Sequence, residues 1–383
     1  MRGVQPPGGS AAPDGAPTPS SSTGGGPPAP AAAVLHTRAC DLFGVRYPIV
    51  QTGMGWVSGA RLTAATSAAG GLGILAAVTM TGDELRDAVH AVKERTPNPF
   101  GVNFRADQPD LGERIAFVVS EQVKVVSFAG APTKDAVARL HDAGIACMPT
   151  VGARRHAEKM AEWGVDAVIA QGAEGGGHTG VVPTSLLLPQ VVDAVGDTVA
   201  VIGAGGFNDG RGLVAALAWG ADGVAMGTRF LLTKESRVPD EVKRRYLDAS
   251  VTDTVVTAAI DGAPQRVIRT KLVDRLDAAS PITRLPRALR SALGFRKLTG
   301  TSVRELLREG LAMRRNQDLT WSQLAMAANA PMLTRAALVE GRLEAGVLPA
   351  GQGVGVIDEL PTVEELVGRI VAEAERTLER LGA

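Results

Sequence analysis

Between residues 47 and 233, short apolar runs rich in β-branched residues alternate with Ala-rich segments whose apolar positions recur at helical spacing. A short, continuously apolar run bounded by Gly or Pro is what a strand covered on both faces requires. Such runs fall at residues 48–52, 73–75, 101–103, 123–127, 145–149, 167–170, 199–203 and 223–226. Helical patterns separate them at 60–69, 82–95, 111–122, 133–143, 154–163, 184–195 and 210–219. Strand and helix in strict alternation predict a parallel sheet sheathed by helices. Eight strands joined by tight glycine-bearing turns favour closure into an α/β TIM (β/α)8 barrel over an open doubly wound sheet.

The flanks have a different texture. Residues 1–33 are a low-complexity Gly/Pro/Ala/Ser stretch with too little apolar surface to offset its chain entropy, so a disordered tail is expected there, followed by the barrel at 34–233. Beyond Thr233 the alternation stops, and 234–330 reads as a mostly helical, basic cap subdomain. Residues 331–383 continue as helix, a Gly-rich turn at 350–355 and a further helix at 362–381, a segment expected to pack on the barrel.

Composition narrows the function classes. With 383 residues, 45% of them hydrophobic, the chain can bury a large core. Lys plus Arg and Asp plus Glu both number 40, so no net field draws it to nucleic acid or a membrane surface. Cys40 and Cys147 form no Cys-x-x-Cys pair, which argues against a metal cage or a disulfide framework. No apolar run approaches the ~20 residues that cross a bilayer, and the N-terminal stretch has no signal-peptide apolar region, so a soluble, cytoplasmic protein is expected.

Barrel enzymes carry their chemistry on the loops that follow the C-terminal ends of the strands. Three of these loops are glycine-rich. After the sixth strand comes Gln171-Gly172-Ala173-Glu174-Gly175-Gly176-Gly177-His178-Thr179-Gly180, where consecutive glycines let backbone approach a planar or phosphorylated ligand. Gly203-Ala204-Gly205-Gly206-Phe207-Asn208-Asp209 follows the seventh strand and leads into a helix, whose free N–H groups suit a phosphate. Ala225-Met226-Gly227-Thr228-Arg229-Phe230 follows the eighth. Singly, each reads as a turn; together, beside Gly-Gly-Gly-His, they match the phosphate site that recurs after strands seven and eight of this fold. His178 lies in one of these loops, whereas His36, His90, His141 and His156 sit near the tail or on predicted helices. An imidazole there can exchange a proton near neutral pH.

Pro48-Ile49-Val50-Gln51-Thr52-Gly53-Met54, Gly101-Val102-Asn103, Gln171 to Gly180, Ala204-Gly205-Gly206 and Met226-Gly227-Thr228-Arg229-Phe230, in this order, resemble the nitronate monooxygenase family. The resemblance implies a TIM barrel holding FMN non-covalently, with His178 as catalytic base or acid. It implies that Gly53 and Met54 contact the isoalloxazine and that Asn103 hydrogen-bonds it. Gln171, Gly172, Gly176 and Gly177 would line the ring and ribityl, and Gly205, Gly206, Gly227 and Thr228 the phosphate. The family includes nitronate monooxygenases that use O2 and reductases of quinones or enoyl thioesters that use NAD(P)H. Gln51-Thr52-Gly53-Met54-Gly55-Trp56-Val57, Glu174 to Gly180, Val242 to Leu247 and Leu319 to Gln323 resemble more closely an actinobacterial subgroup linked to steroid-ring degradation as coenzyme A thioesters. The resemblance therefore implies a small-molecule substrate: a nitronate oxidised with O2 or, alternatively, a steroid-derived acyl-CoA.

Two further readings concern the surroundings. Lys243, Arg244, Arg245, Arg266, Arg269, Lys271, Arg284, Arg287, Arg290, Arg296 and Lys297 could seat the phosphates of coenzyme A or NADP, although solvated helix faces are the plainer reading. Trp56, Phe104 and Phe128 could wall the pocket or belong to the core. A catalytically idle barrel that only binds a ligand is the non-enzyme alternative.

Overall fold

The computed structural model describes residues 31–278 and 329–382. Its strands are β1 (Ile49–Gln51), β2 (Leu72–Ala76), β3 (Phe100–Arg105), β4 (Val125–Ala129), β5 (Ala146–Val151), β6 (Ala167–Gln171), β7 (Gly177–His178), β8 (Ala200–Ala204), β9 (Gly223–Met226), β10 (Thr254–Thr257) and β11 (Gln265–Ile268). Eight of them, β1 to β6 with β8 and β9, close a barrel, sealed where Val50 pairs with Ala225 in parallel register. This is the TIM barrel expected from the alternation. Residues 1–30 of the expected tail and the stretch 279–328 lie outside the described residues, and with them go the expectations for Arg284, Arg287, Arg290, Arg296, Lys297 and Leu319 to Gln323; residues 31–33, also expected in the tail, instead open the helix Ala31–Val34.

The two-residue period of a strand sorts the barrel's side chains. Val50, Ile74, Val125, Met148, Ile169 and Ile202 point into the barrel and pack on one another. Their neighbours Ile49, Leu75, Val126, Cys147, Val168 and Val201 belong to the layer under the helices. Both faces are buried, which is why the strands read as unbroken apolar runs. The helix Arg38–Phe43, not expected from the sequence pattern, supplies Ala39 and Phe43 to the interior cluster. Arg38 holds it in place by donating to Gly196 O and Val199 O, both at 2.9 Å, and to Asp222 Oδ2 at 2.8 Å.

After the barrel, the helices Asp240–Leu247 and Lys271–Asp277 flank an antiparallel hairpin, β10 with β11. The hairpin did not emerge from the helical reading of this region. Ile260, Val267, Val273 and Val347 form its small core. Its partner on the other edge is β7, with Gln265 opposite His178 and Arg266 opposite Gly177. The loop after β6 is thereby a strand of a second, three-stranded sheet ordered β10-β11-β7. The helix Val363–Leu381, started by a Thr362/Glu365 capping box, lies against the helix Gly210–Ala218. The fit there is close: a Cβ on Gly210 would stand 2.3 Å from Ile370 O.

Candidate active site

The sequence-predicted site residues meet at the C-terminal mouth of the barrel. Their contiguity can be traced through what a Cβ on each glycine would touch. On Gly53 it would stand 2.3 Å from Asn103 Cβ, and on Gly227 it would lie 3.3 Å from Thr52 Oγ1 and 3.5 Å from Met54 Sδ. On Gly205 it would meet Thr184 Oγ1 at 2.9 Å, Gly172 O and Gly175 N, both at 3.2 Å. On Gly176 it would be 2.5 Å from Gly351 N. Loops after β1, β6, β8 and β9, with the end of β3, thus adjoin one another around the mouth.

The segment that joins them is one the sequence reading took only for a turn. Ile268 N donates to Leu348 O at 2.9 Å, and Ala350 N donates to Arg266 O at 3.3 Å, so this segment runs along β11. Next, Gly351 N donates to Thr228 Oγ1 at 3.0 Å and Gln352 N to Glu174 O at 2.9 Å. The loops after β6 and β9 are stitched together by these two bonds.

The N–H groups of Gly205, Gly206, Gly227 and Thr228 make no hydrogen bond to another described residue. Gly205 and Gly206 adopt φ of 100° and 82°, a region that glycine enters without steric cost. Four free donors on facing loops suit an anion. The helix that follows Gly206 contributes less than the sequence suggested. Its Gly212 N is capped by Asp209 Oδ1 and its Gly210 N by Glu373 Oε2, both at 2.9 Å. The two carboxylates, both paired with Arg211, take up two of the donors at that terminus.

Asn103 is buried and donates from Nδ2 to Ser127 Oγ at 3.0 Å. Its Oδ1 has no partner among the described residues. Gln171 donates from Nε2 to His178 O at 2.7 Å, bracing the turn from below.

His178 is held at the backbone and open at the ring. Thr179 N donates to Pro264 O and Thr179 Oγ1 to Gly172 O, both at 3.1 Å, while the His178 side chain is 63% exposed. Its Nε2 lies 2.8 Å from Oδ2 of Asp261, whose side chain is only 8% exposed, on the turn between β10 and β11. Burial raises the Asp261 carboxyl pKa. The hydrogen bond and charge of His178, the Ala263 N–H and the Gln265 amide outweigh that and hold it below the usual carboxylate range. A cavity of about 250 Å³ opens beside His178, lined by Thr150, Gly152, Gln171, Thr179 and Pro264. A larger one, about 330 Å³, lies around Arg46, Gly70 and Asn98 and shares no residue with the site.

Several expectations need correction. Lys243 is buried and donates to Ser236 O at 2.9 Å, and Arg266 is spent on Ala173 O and Thr254 Oγ1. Arg269 pairs with Asp274 at 2.8 Å. Lys243 and Arg266 are thus taken up inside the subdomain instead of facing a ligand, while Arg269 makes an exposed ion pair. Phe104 and Phe128 are fully buried with ring centroids 6.4 Å apart, which makes them core residues. Trp56 stays half-buried beside the mouth, with an unusual φ of 65°. Asp261 was missed. The only sequence signal for it, Asp-Gly in a turn, says nothing about a histidine far away in the chain.

The profile of the family described as nitronate monooxygenase matches residues 36–373. The chain belongs to the nitronate monooxygenase family. It is accordingly an oxidoreductase, and the family's cofactor is a flavin. Two curated relatives carry the name (3aS,4S,5R,7aS)-5-hydroxy-7a-methyl-1-oxo-octahydro-1H-indene-4-carboxyl-CoA dehydrogenase. The one from Mycobacterium tuberculosis is 55% identical over 91% of this chain and 99% of its own length. The one from Rhodococcus jostii is 53% identical over 92% and 99%. A probable nitronate monooxygenase of Staphylococcus saprophyticus is 32% identical over 63% of this chain and 81% of its own. Among solved structures, FabK of Thermotoga maritima superposes with a TM-score of 0.73 at 34% identity, covering 90% of this chain and 98% of that one. A nitroalkane oxidase from Streptomyces ansochromogenes gives 0.69 at 30% identity, covering 89% and 99%.

Proposed function

We propose that this member of the nitronate monooxygenase family is an FMN-dependent dehydrogenase of a coenzyme A thioester carrying a fused-ring hydroxy acid. The observation that carries the substrate class is the pair of relatives of that name, alike over nearly their whole length, set against 32% identity over a shorter span for the nitronate monooxygenase. The resemblance of Gln51 to Val57 and Glu174 to Gly180 to the steroid-degrading subgroup points the same way.

The residues present fit FMN. Free N–H groups on Gly205, Gly206, Gly227 and Thr228 would hold its phosphate, in a cradle that a Cβ on Gly205 would obstruct. Gly53, Met54 and the free Oδ1 of Asn103 would meet the isoalloxazine, and Gln171, Gly172, Gly176 and Gly177 its edge and the ribityl. Bound there, FMN supplies a two-electron acceptor. His178 takes the proton that leaves the substrate, from a ring exposed to the cavity beside Gln171 and Thr179. Asp261 stays ionised behind it. No described helix is long and apolar enough to cross a membrane, and a thioester substrate of this kind suits the cytoplasm.

The test is the visible spectrum of the purified protein under anaerobic conditions. A yellow protein that a fused-ring hydroxyacyl-CoA bleaches supports the proposal. Bleaching by a nitronate alone would return it to monooxygenase chemistry, and bleaching by NADH or NADPH alone would make it a reductase. A colourless protein that takes up no FMN would sink both cofactor and function.

A further inference from the structure

We infer that Asp261 is a positioning residue that fixes the tautomer of His178, leaving Nδ1 as the atom that accepts the substrate proton. The inference rests on the dehydrogenase reading only for the identity of that proton; the tautomer follows from the chain's own contacts. The Asp261 carboxylate is committed at both oxygens. Its Oδ1 accepts from Ala263 N at 3.1 Å and its Oδ2 faces His178 Nε2 at 2.8 Å. An ionised carboxylate only accepts hydrogen bonds, so Nε2 must carry a proton, and in the neutral ring the lone pair is then on Nδ1. When Nδ1 takes a proton the ring becomes an imidazolium, and the buried carboxylate stabilises that cation without moving. Nothing is oxidised in this step; one N–H bond forms as the substrate's bond to hydrogen breaks.

The hairpin sets this geometry. Asp261 stands on the β10–β11 turn, and β11 pairs with β7, which carries His178, through Gln265 opposite His178. Base and carboxylate are therefore linked through one small sheet, His178 on its edge strand and Asp261 on the turn that leads into β11.

Two substitutions separate positioning from simple support of the turn. In Asp261→Asn, the amide oxygen is claimed by the Ala263 N–H, so its NH2 faces Nε2 and forces the proton onto Nδ1. The reactive lone pair is then gone. In Asp261→Ala the turn loses its hydrogen bond to Ala263, but the imidazole is free to choose either tautomer. The inference expects Asn to be the worse variant, with kcat lower by about 10²- to 10⁴-fold, and Ala to retain several-fold more activity. A purely structural role expects the reverse order. Independently of turnover, histidine-selective 15N spectra of the flavin-free protein should show His178 protonated at Nε2 in the parent and at Nδ1 in Asp261→Asn. Spectra unchanged by that substitution, or Ala falling below Asn, would overturn the inference. His178→Ala distinguishes the two levels: if it retains full turnover, the acid–base role itself fails; if it is inactive while Asp261→Asn is normal, only the positioning role does.

Discussion

The barrel and the three-stranded sheet that borders its mouth are both β-structure, yet they are specified in different ways. Each barrel strand is buried on both faces and, apart from the closing pair β1 with β9, pairs with the next barrel strand in the chain, so its apolar run is a local signal. Strand β7 is two residues, Gly177 and His178, neither of them a strand former, and is a strand only because β11 supplies its partner from nearly ninety residues away. The barrel is thus held by burial, and the edge that carries His178 by a few hydrogen bonds. Stability and function can be attacked separately.

The largest effect on that contrast should come from the barrel interior. Ile74→Ala removes a fully buried side chain from the packed lumen and should cost about 2–5 kcal/mol in denaturant unfolding, with the flavin lost only as the whole barrel melts. Gly53→Ala should leave the global midpoint closer to the parent but abolish flavin retention on gel filtration, because its methyl would collide with Asn103 Cβ. Next is the stitch between the two regions. Arg266→Met leaves Ala173 O without its guanidinium donors and should cost about 1–3 kcal/mol, read as faster amide exchange in β7 and β11 than in the barrel strands.

Acid should act on the same edge. Because Asp261 is held below the ordinary carboxylate range, its stabilisation is complete above the unfolded value near ~4. It is lost as pH falls through the depressed folded value. Exchange protection of β11 should therefore fall with pH in the parent and show a flatter acid limb in Asp261→Asn. Smallest of all is a chemical contrast with no stability change. Burial first, then the charge of Asp166, push the Cys147 thiol up to about 12, so in the folded barrel at pH 8 it should resist alkylation that it undergoes once unfolded.

The same division decides what could be read from the residues. The strand order, the helix positions and the ring of glycine loops were legible because they rest on local periodicity and on a rule about which end of a barrel does chemistry. His178 stood out through its loop. Asp261, Gly351 and Gln352 did not, since each acquires its role from a partner brought near only by the fold. The cations of the added region misled for a related reason: charge on a helix pattern suggests solvent or a ligand, whereas Lys243 and Arg266 point at backbone carbonyls inside. Asp209 and Glu373 were equally silent about capping the helix that had been read as a phosphate seat.

The stitching of the mouth by Gly351 and Gln352 also has a bearing on synthesis. The eighth barrel strand ends at Met226, but the residues that join the loops after β6 and β9 leave the ribosome much later, on the order of ten seconds at ordinary elongation rates. A nascent barrel therefore waits with its mouth unlaced. Cofactor capture in the cell belongs after translation of the later segment, and a ribosome stalled before Gly351 should hold a chain with barrel-like protection but no bound flavin.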